Sequence, residues 1–361
     1  MIKKLDSYDK IRAGLIDRGV IFAGWISGSE IVYVREVPGL GTNILYRYTV
    51  RSKKRHEICR VPGTVTAFRV SGSGGFVAVK RFLQGKDGVP RGGTVVCMVH
   101  ERRLLDIDSG YGFIDFSIHP EGYSLIRETR GGITEYFPRT GHNRTLLARD
   151  RYGSDGGAAN PTIALLSPGG KSLLLVRGGG GSYEGELVTG NRHARLHGIS
   201  SGAEVCWLNR ATVAYRGGSP GYFSVNLYDV SSGKKSTLLA RSYNTNITCS
   251  RNAGMLSFLR DQVVMFYIPG DGTVQSAGIE GEDVSFSASG KSFTALLYGR
   301  LFLVNILELR KNELELRKYW KDMVGEYRRL MSARSDWENQ YSLDYIKRKM
   351  DLYTLLLSGK L

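Results

Sequence analysis

A short polar turn followed by an apolar strand recurs through most of the chain, and this repeat constrains the fold more strongly than any other feature. Its period is about 44 residues, a length typical of one four-stranded blade of a β-propeller. Further candidate strands follow within each period and are separated by Gly, Ser, Asn or Pro. The first apolar residues after the seven turns are Ile31, Phe76, Leu125, Leu173, Val213, Met255 and Phe293.

A four-stranded unit of this size cannot bury both of its faces alone, but blades packed around a common axis can. We therefore expect an all-β fold, a β-propeller of four-stranded blades, over residues 1–307. Seven blades are expected, with six as the alternative, because the copy at Ser250–Leu256 is the weakest. The last copy supplies only three strands, so an N-terminal strand near Ile11–Ile16 is expected to close the ring.

Two Gly-Lys-Ser triplets, which end at Ser172 and Ser292, raise the alternative of phosphate-binding loops. Such a loop needs another glycine five residues before the glycine of the triplet, and a helix after it. Leu165 and Ser285 occupy these glycine positions, and an apolar strand follows each triplet. The triplets are therefore interpreted as turns between strands rather than as nucleotide sites.

The turn sequences resemble the WD40-like, TolB-type β-propeller repeat. The most similar is Ser167–Lys171, which reads Ser-Pro-Gly-Gly-Lys, and Ser287–Lys291 comes next. The turns that follow Trp25 and Trp207 are also similar to that family. The resemblance covers about residues 19–307 and implies a propeller fold, but it leaves the function open. The acidic residue that the family usually has between Pro and Gly is present only as Glu121.

The pattern changes after the last blade, where glycine becomes rare and charges become dense. Between Leu316 and Met331, apolar residues recur at steps of three and four and so share one helical face. Ser335–Glu338 has the pattern of a capping box, which predicts the start of a second helix that ends at Gly359. Residues 308–361 are therefore predicted to form a helical arm, either one bent helix or two helices.

The aromatic side chains of this arm are candidates for partner binding, because aromatic anchors are enriched at interaction hot spots. Two interpretations stay open: the aromatic stripe packs on the propeller itself, or part of it docks on another protein or on a second copy of the chain. A Gly-rich loop flanked by an arginine and a tyrosine is a further candidate contact. The partner-binding candidates are Trp320, Tyr327, Trp337, Tyr341, Tyr345, Arg177 and Tyr183.

The chain is strongly basic, with a formal net charge of +16. Residues 308–361 contain 12 basic and 9 acidic residues, so +13 of this charge belongs to the propeller. The charge is dispersed rather than collected in one tract. A dispersed positive excess favours anionic partners, and it fits an acidic protein surface as well as nucleic acid.

Four cysteines lie in strand patterns of separate blades and form no C-x-x-C motif, so we expect buried free thiols. Residues 1–20 contain no apolar segment of the kind found in signal peptides. Both features favour the cytoplasm, with the periplasm as the alternative if a signal peptide has been removed. No apolar run approaches the length of a membrane span. The cysteines are Cys59, Cys97, Cys206 and Cys249.

The sequence offers no set of residues with a clear catalytic pattern. Residues 217–221 match G-x-S-x-G, but a strand rather than a helix follows them, as in a turn of a blade. His193 and His197 are four residues apart and lack a carboxylate at matching spacing, so no metal site is predicted. We therefore expect no catalytic residue, cofactor or metal, and a non-enzymatic protein-interaction scaffold. The alternatives are a nucleic-acid-associated basic propeller and a small-ligand-binding or hydrolytic propeller that uses its central channel.

Overall fold

The structure is a computed structural model, and it describes most of the chain. The described residues are 8, 11, 13–39, 41–71, 75–84, 90–109, 116–119, 122–129, 132–148, 162–179, 182–190, 192–200, 204–219, 221–243, 245–250, 254–332 and 340–359.

The described strands form seven antiparallel four-stranded blades, which confirms the predicted all-β propeller, and a single pairing of Ile199 with Gly217 joins blades 4 and 5 into one eight-stranded sheet. In blades 1 to 6, the four strands follow each other in sequence from the axis to the outer edge. Blades 1 and 2 consist of β2 (Val20–Trp25), β3 (Glu30–Val37), β4 (Thr42–Thr49), β5 (Lys54–Pro62), β6 (Thr64–Val70), β7 (Phe76–Gln84), β8 (Pro90–Met98) and β9 (Arg103–Ser109). Blades 3 and 4 consist of β10 (Phe116–Ile118), β11 (Leu125–Thr129), β12 (Gly132–Phe137), β13 (His142–Ala148), β14 (Thr162–Leu166), β15 (Ser172–Gly179), β16 (Ser182–Thr189) and β17 (Arg192–Ile199).

The remaining blades follow the same plan, except that blade 7 takes its outer strand from the N-terminal part of the chain. Blades 5 and 6 consist of β18 (Val205–Trp207), β19 (Thr212–Gly217), β20 (Phe223–Asp229), β21 (Lys235–Ser242), β22 (Thr248–Ser250), β23 (Met255–Arg260), β24 (Val263–Ile268) and β25 (Thr273–Glu280). Blade 7 consists of β26 (Asp283–Phe286), β27 (Ser292–Leu297), β28 (Arg300–Asn305) and β1 (Gly14–Arg18).

The ring is closed by pairing of β1 with β28, in which Gly14 lies opposite Leu303. This strand begins three residues later than the sequence pattern indicated. Ile11, which the pattern placed in the strand, instead lies before it and is buried in the core, with 2% of its surface exposed. Blade 7 thus combines one N-terminal strand with three strands from the C-terminal end of the propeller, and this pairing closes the ring.

The Gly-Lys-Ser triplets lie in the hairpins between the first and second strands of blades 4 and 7. The hydroxyl of Ser167 accepts a hydrogen bond from the backbone N–H of Ser172 at 2.9 Å, and Ser287 accepts one from Ser292 at 3.3 Å. Gly170 has a φ of +70°, a left-handed conformation that favours glycine. The triplets therefore serve turn formation, as the sequence indicated.

The two tryptophans that precede similar turns make equivalent contacts between neighbouring blades. The indole N–H of Trp25 in blade 1 donates to the carbonyl oxygen of Ser285 in blade 7 at 2.9 Å. Trp207 in blade 5 donates in the same way to Leu165 in blade 4 at 3.1 Å. Each tryptophan thus fills the space between blades and satisfies its one polar group there. The two similar turn sequences therefore also share the same tryptophan hydrogen bond to a neighbouring blade.

The cysteines correct the prediction of free thiols, because the structure joins them in two disulfides. Cys59 of β5 pairs with Cys97 of β8, and Cys206 of β18 pairs with Cys249 of β22. The partners are 38 and 43 residues apart, close to one blade period, so neighbouring blades bring them together. No C-x-x-C spacing signals these pairs, because the partners meet only where neighbouring blades pack together. The expectation of a cytoplasmic location rested on free thiols and on the lack of a signal-peptide segment in residues 1–20. The first of these two observations no longer supports it.

Within the described residues, three helices follow the last blade: α1 (Ile306–Lys311), α2 (Glu313–Ser332) and α3 (Gln340–Ser358). Asn305 caps α1, since its side chain accepts hydrogen bonds from two backbone N–H groups of the first turn. Gly359, with a φ of +67°, follows the end of α3. None of the helices in the described ranges combines the length and the hydropathy that crossing a bilayer requires.

Candidate functional site

The helical arm packs on the side of the propeller and shares one continuous apolar core with blades 5, 6 and 7. The indole N–H of Trp320 in α2 donates to the carbonyl oxygen of Gly278 in β25 at 2.8 Å. Tyr327 lies two helical turns after Trp320 and is 1% exposed. Its ring stacks on that of Tyr353 in α3, with the ring centres 6.1 Å apart. Trp320 and Tyr327 of the predicted aromatic stripe therefore pack within the chain's own core.

A fully buried ion pair lies between α3 and blade 6. The ammonium of Lys349 is 2.6 Å from the carboxylate of Glu280, and both side chains are 0% exposed. The hydroxyl of Tyr353 donates to the same carboxylate oxygen at 3.0 Å, and that of Tyr8 donates to the backbone carbonyl of Glu280. Buried charges cost solvation energy that only close pairing and further hydrogen bonds offset. This cluster ties the N-terminal segment, the arm and the propeller to one another.

A second set of contacts holds the beginning of α3 against the loops of blades 5 and 6. The guanidinium of Arg348 lies 4.3 Å from the ring centre of Tyr243 and 5.3 Å from that of Tyr222. It also donates to the carbonyl oxygen of Gly221 at 2.8 Å. The hydroxyl of Tyr345 donates to the side chain of Gln262 at 3.1 Å. Burial raises the pKa of Tyr345 far above its ordinary value, so this hydroxyl remains protonated and able to donate.

The predicted partner-binding residues of the arm consequently serve intramolecular packing wherever the structure describes them. Trp320 and Tyr327 are buried and present no surface to another molecule, and Tyr345 is half-buried against the propeller. Trp337 lies outside the described residues, as does the side chain of Tyr341. Between the two interpretations left open by the sequence, packing on the propeller itself accounts for the described residues.

The other two candidates, Arg177 and Tyr183, lie on the hairpin between β15 and β16 of blade 4. The guanidinium of Arg177 is 3.4 Å from the carboxylate of Glu186 on the adjacent strand. The ring of Tyr183 covers Gly178, where a Cβ atom would come within 2.3 Å of it. Both side chains are thus held by their own hairpin, and the prediction that they contact a partner stays a prediction.

The outer strands of blades 3, 4 and 5 form a surface that the sequence pattern did not reveal, which we call the basic edge. It consists of β13, β17 and β21, whose sequences contain no Asp or Glu. Its exposed cations are Arg144, which pairs with the buried carboxylate of Glu135, together with Arg192, Arg195, Lys235 and Arg241. The outer strand of blade 6, in contrast, carries no Lys or Arg and is covered by the arm. The positive charge and the arm therefore occupy different parts of the propeller's perimeter.

A cavity of about 880 Å³ lies along the axis and is lined by the first strands of all seven blades. Its polar lining includes Glu204, Asn246 and Asp283, which lie at or just before the first residues of β18, β22 and β26 and therefore at one end of the channel. Glu204 accepts hydrogen bonds from the Thr245 hydroxyl at 2.8 Å and the Ile247 backbone N–H at 3.1 Å, and it pairs with Arg216. Neither a catalytic set nor a metal cluster is recognisable among the residues described. This end of the cavity is a second candidate for binding.

No family model and no curated protein sequence matches the chain. Its fold is similar to a chain of Kuenenia stuttgartiensis hydrazine synthase, with 14% identity and a TM-score of 0.57 over 80% of this chain and 96% of that one. It is also similar to a chain of a mitotic checkpoint complex, with 12% identity and a TM-score of 0.54 over 80% and 87%. The β-propeller domain of the Trilobed protease from Pyrococcus furiosus matches at 9% identity and a TM-score of 0.53 over 80% and 95%.

These similarities confirm the β-propeller fold and no more, because identities this low carry no functional assignment. The narrower assignment to the WD40-like, TolB-type repeat stays a prediction. The similar chains come from a synthase, a protease and a mitotic checkpoint complex, so the fold does not decide between a catalytic and a binding role.

Proposed function

We propose that this protein is a non-enzymatic interaction scaffold that binds an acidic protein segment along its basic edge. The observation that carries the proposal is the set of exposed cations on three consecutive outer strands that contain no acidic residue. Such a one-signed surface attracts an oppositely charged partner and guides its approach. The arm then acts as a fixed part of the scaffold rather than as the docking device.

The position of the charges favours an extended partner. The cations of β17 and β21 lie on the outer strands of neighbouring blades; β21 is a sheet edge, and β17 pairs with blade 5 only at Ile199, so the cations continue from one blade to the next around the perimeter. Edge strands also present unpaired backbone groups, to which an extended segment can add main-chain hydrogen bonds. An acidic extended segment therefore matches this surface in charge and in shape.

Nucleic acid is the alternative ligand for a basic surface. It differs from an acidic peptide in the spacing of its charges and in the salt dependence of its binding. Nucleic acid presents closely spaced phosphates, and its affinity falls steeply with salt because counterions are released. An acidic peptide of equal charge has a lower charge density and gains from main-chain pairing. Comparing the affinities of an acidic peptide and of nucleic acid for the same protein therefore distinguishes a protein partner from a nucleic-acid partner.

The test uses fluorescence anisotropy with labelled poly-glutamate and with a DNA duplex of equal charge. The full chain is compared with a triple variant of the basic edge, Arg192→Gln, Arg195→Gln and Lys235→Gln. A matched control carries Lys54→Gln, Arg60→Gln and Arg103→Gln, which remove the same charge from the exposed outer strands of blades 1 and 2.

We expect the edge variant to lose at least about tenfold in affinity for poly-glutamate, and the control to stay within about threefold of the parent. Equal losses in both variants would show that only net charge matters and would overturn the proposal. Tighter binding of DNA than of poly-glutamate, lost in the edge variant, would assign the surface to nucleic acid instead.

A further inference from the structure

The axial cavity is large enough for a small molecule, since ligand pockets commonly measure about 300–1,000 Å³ and this one measures about 880 Å³. Its wall is partly apolar, with Phe22, Ile163 and Ile247 among the residues that line it. Charged residues from three blades also line it, namely Arg69, Glu204, Glu282 and Asp283. A ligand held here would therefore meet apolar walls and charges of both signs.

The three carboxylates differ in how they are engaged, and Glu282 accepts a hydrogen bond from the Tyr298 backbone N–H at 3.1 Å. Glu204 accepts hydrogen bonds at both oxygens, so it serves to hold the connection between blades 5 and 6. Asp283 accepts at Oδ1 only, from the Val284 backbone N–H at 2.8 Å and the Asn246 amide at 3.3 Å. Among the described residues, its Oδ2 accepts no hydrogen bond. Asp283 thus keeps an acceptor available at the cavity.

Arg69 supplies a positive charge at the same cavity from blade 2. Its side chain is exposed, and one of its N–H groups donates to the carbonyl oxygen of Phe68 at 2.9 Å. Burial raises the pKa of Asp283, and the positive charge of Arg69 acts in the opposite direction. No nitrogen–oxygen contact of 4.0 Å or less joins the two side chains in the part of the chain that is described. Two opposite charges on separate blades thus line one cavity without forming an ion pair with each other.

We propose that this end of the channel binds a small zwitterion with an apolar side chain, whose carboxylate pairs with Arg69 and whose ammonium pairs with Asp283. The guanidinium offers several N–H donors in a fork that suits a carboxylate. The ammonium would donate to the open oxygen of Asp283. The apolar part would lie against Phe22, Ile163 and Ile247. Free amino acids and the ends of short peptides share this chemistry.

The test measures binding by isothermal titration calorimetry at fixed ionic strength. The probes are leucine and phenylalanine, with the dipeptide Leu-Leu to separate the two sources of a zwitterion. N-acetyl-leucine removes the ammonium and leucinamide removes the carboxylate, so each capped probe deletes one of the two proposed contacts. We expect saturable binding of the zwitterions and at least about a tenfold loss for each capped probe, because each loses a charged hydrogen bond.

The variants Arg69→Gln and Asp283→Asn should each reduce the affinity to a similar extent, with thermal melting as the check that they fold. Arg103→Gln and Asp271→Asn are matched controls, because both residues are exposed on loops or edges outside the cavity. A preference for leucine or for Leu-Leu identifies the source, and either supports the proposal. Absence of saturable binding, equal affinity for the capped probes, or equal losses in the control variants would overturn it. The basic edge is not involved, so its own test remains independent.

Discussion

At the scale of single residues, Lys349 shows how a charge can be buried without serving chemistry. Its ammonium pairs with Glu280, and the hydroxyl of Tyr353 donates a hydrogen bond to the same carboxylate. The whole cluster lies where α3 meets the outer strand of blade 6. A group placed in this way determines where the helix packs, because a shift of α3 would leave two charges buried and unpaired.

Replacement of Lys349 by alanine should lower the free energy of unfolding by about 3–5 kcal/mol, because Glu280 would remain as an unpaired buried charge. The double variant Lys349→Met, Glu280→Gln should recover much of this loss. Urea denaturation provides the measurement. Lys318→Ala is the control, since Lys318 pairs with Glu315 at 2.8 Å on the exposed face of α2 and should change stability by less than about 1 kcal/mol. A cost for Lys349→Ala no larger than that of the control would contradict the role assigned to the pair.

Asp229 gives a residue-scale prediction about pH. Its carboxylate accepts hydrogen bonds from the Ser231 hydroxyl and the Ser232 backbone and hydroxyl, which lower its pKa from 3.8 to about 2. Because the folded-state pKa lies below the unfolded-state value, this group stabilises the fold above about pH 4, and its contribution disappears as the pH falls towards 2. An NMR titration of the carboxyl carbon should show the low midpoint. Ser231→Ala should raise it, and an unchanged midpoint would show that this hydrogen bond is not the cause.

At the scale of elements, the contact between α2 and β25 depends on a glycine. Gly278 has a φ of +66°, and a Cβ atom there would lie 2.2 Å from the Trp320 ring. Gly272, at the start of the same outer-strand region, has a φ of +64° but nothing within 4 Å of its Cβ position. The two glycines have the same left-handed backbone conformation. They differ because α2 covers Gly278 and leaves Gly272 open.

The variant Gly278→Ala should therefore lose more stability than Gly272→Ala. Both pay about 1–2 kcal/mol for a left-handed alanine, and only the first must also displace the indole ring, which adds typically 1–3 kcal/mol. Thermal and urea unfolding of the two variants, compared with the parent chain, measure the difference. Equal losses would mean that α2 yields to the new methyl group without cost, and that the arm is held less firmly than the buried contacts indicate.

The disulfide between β18 and β22 is a second element-scale feature, because it joins blades 5 and 6 next to the cavity. The Cα atoms of Cys206 and Cys249 are 5.9 Å apart, within the usual range for a disulfide. Under oxidising conditions, Cys206→Ser should lower the free energy of unfolding by about 2–4 kcal/mol. With dithiothreitol present, the variant and the parent should unfold alike. A difference that persists in the reduced proteins would point to packing rather than to the covalent link.

The strands were largely predictable from the sequence, because turn chemistry is local. The predicted first apolar residues Leu125 and Met255 are the residues at which β11 and β23 begin. Helical periodicity also predicted which face of α2 is apolar. It could not predict that blade 6 and α3 would cover this face. Lys349 gave no local signal of burial, because its partner Glu280 lies 69 residues away. The basic edge was hidden for the same reason, since its cations are scattered in sequence and adjacent only in the folded ring.

At the scale of the whole molecule, the arm and the propeller form one core, so removal of the arm is not a neutral operation. A chain that ends at Asn305 would expose the apolar surface of blade 6 that α2 and α3 now cover. We expect this truncated chain to melt at a lower temperature and to bind the dye ANS, which reports exposed apolar surface. Thermal unfolding and ANS fluorescence measure both effects. Unchanged melting would show that the propeller folds without its arm, and only then would truncation be a valid test of what the arm binds.

The pairing of β1 with β28 also has a consequence for synthesis. Gly14 leaves the ribosome early, while its partner Leu303 emerges only after six blades have been made. Closing so long a loop is slow, since the entropic cost grows with its length and is recovered only when the last contacts form. Until then, the nascent chain holds an N-terminal strand without a partner and an open seventh blade, both with edges that invite wrong pairing. The last step of folding therefore decides whether a newly made chain becomes a ring or an aggregate.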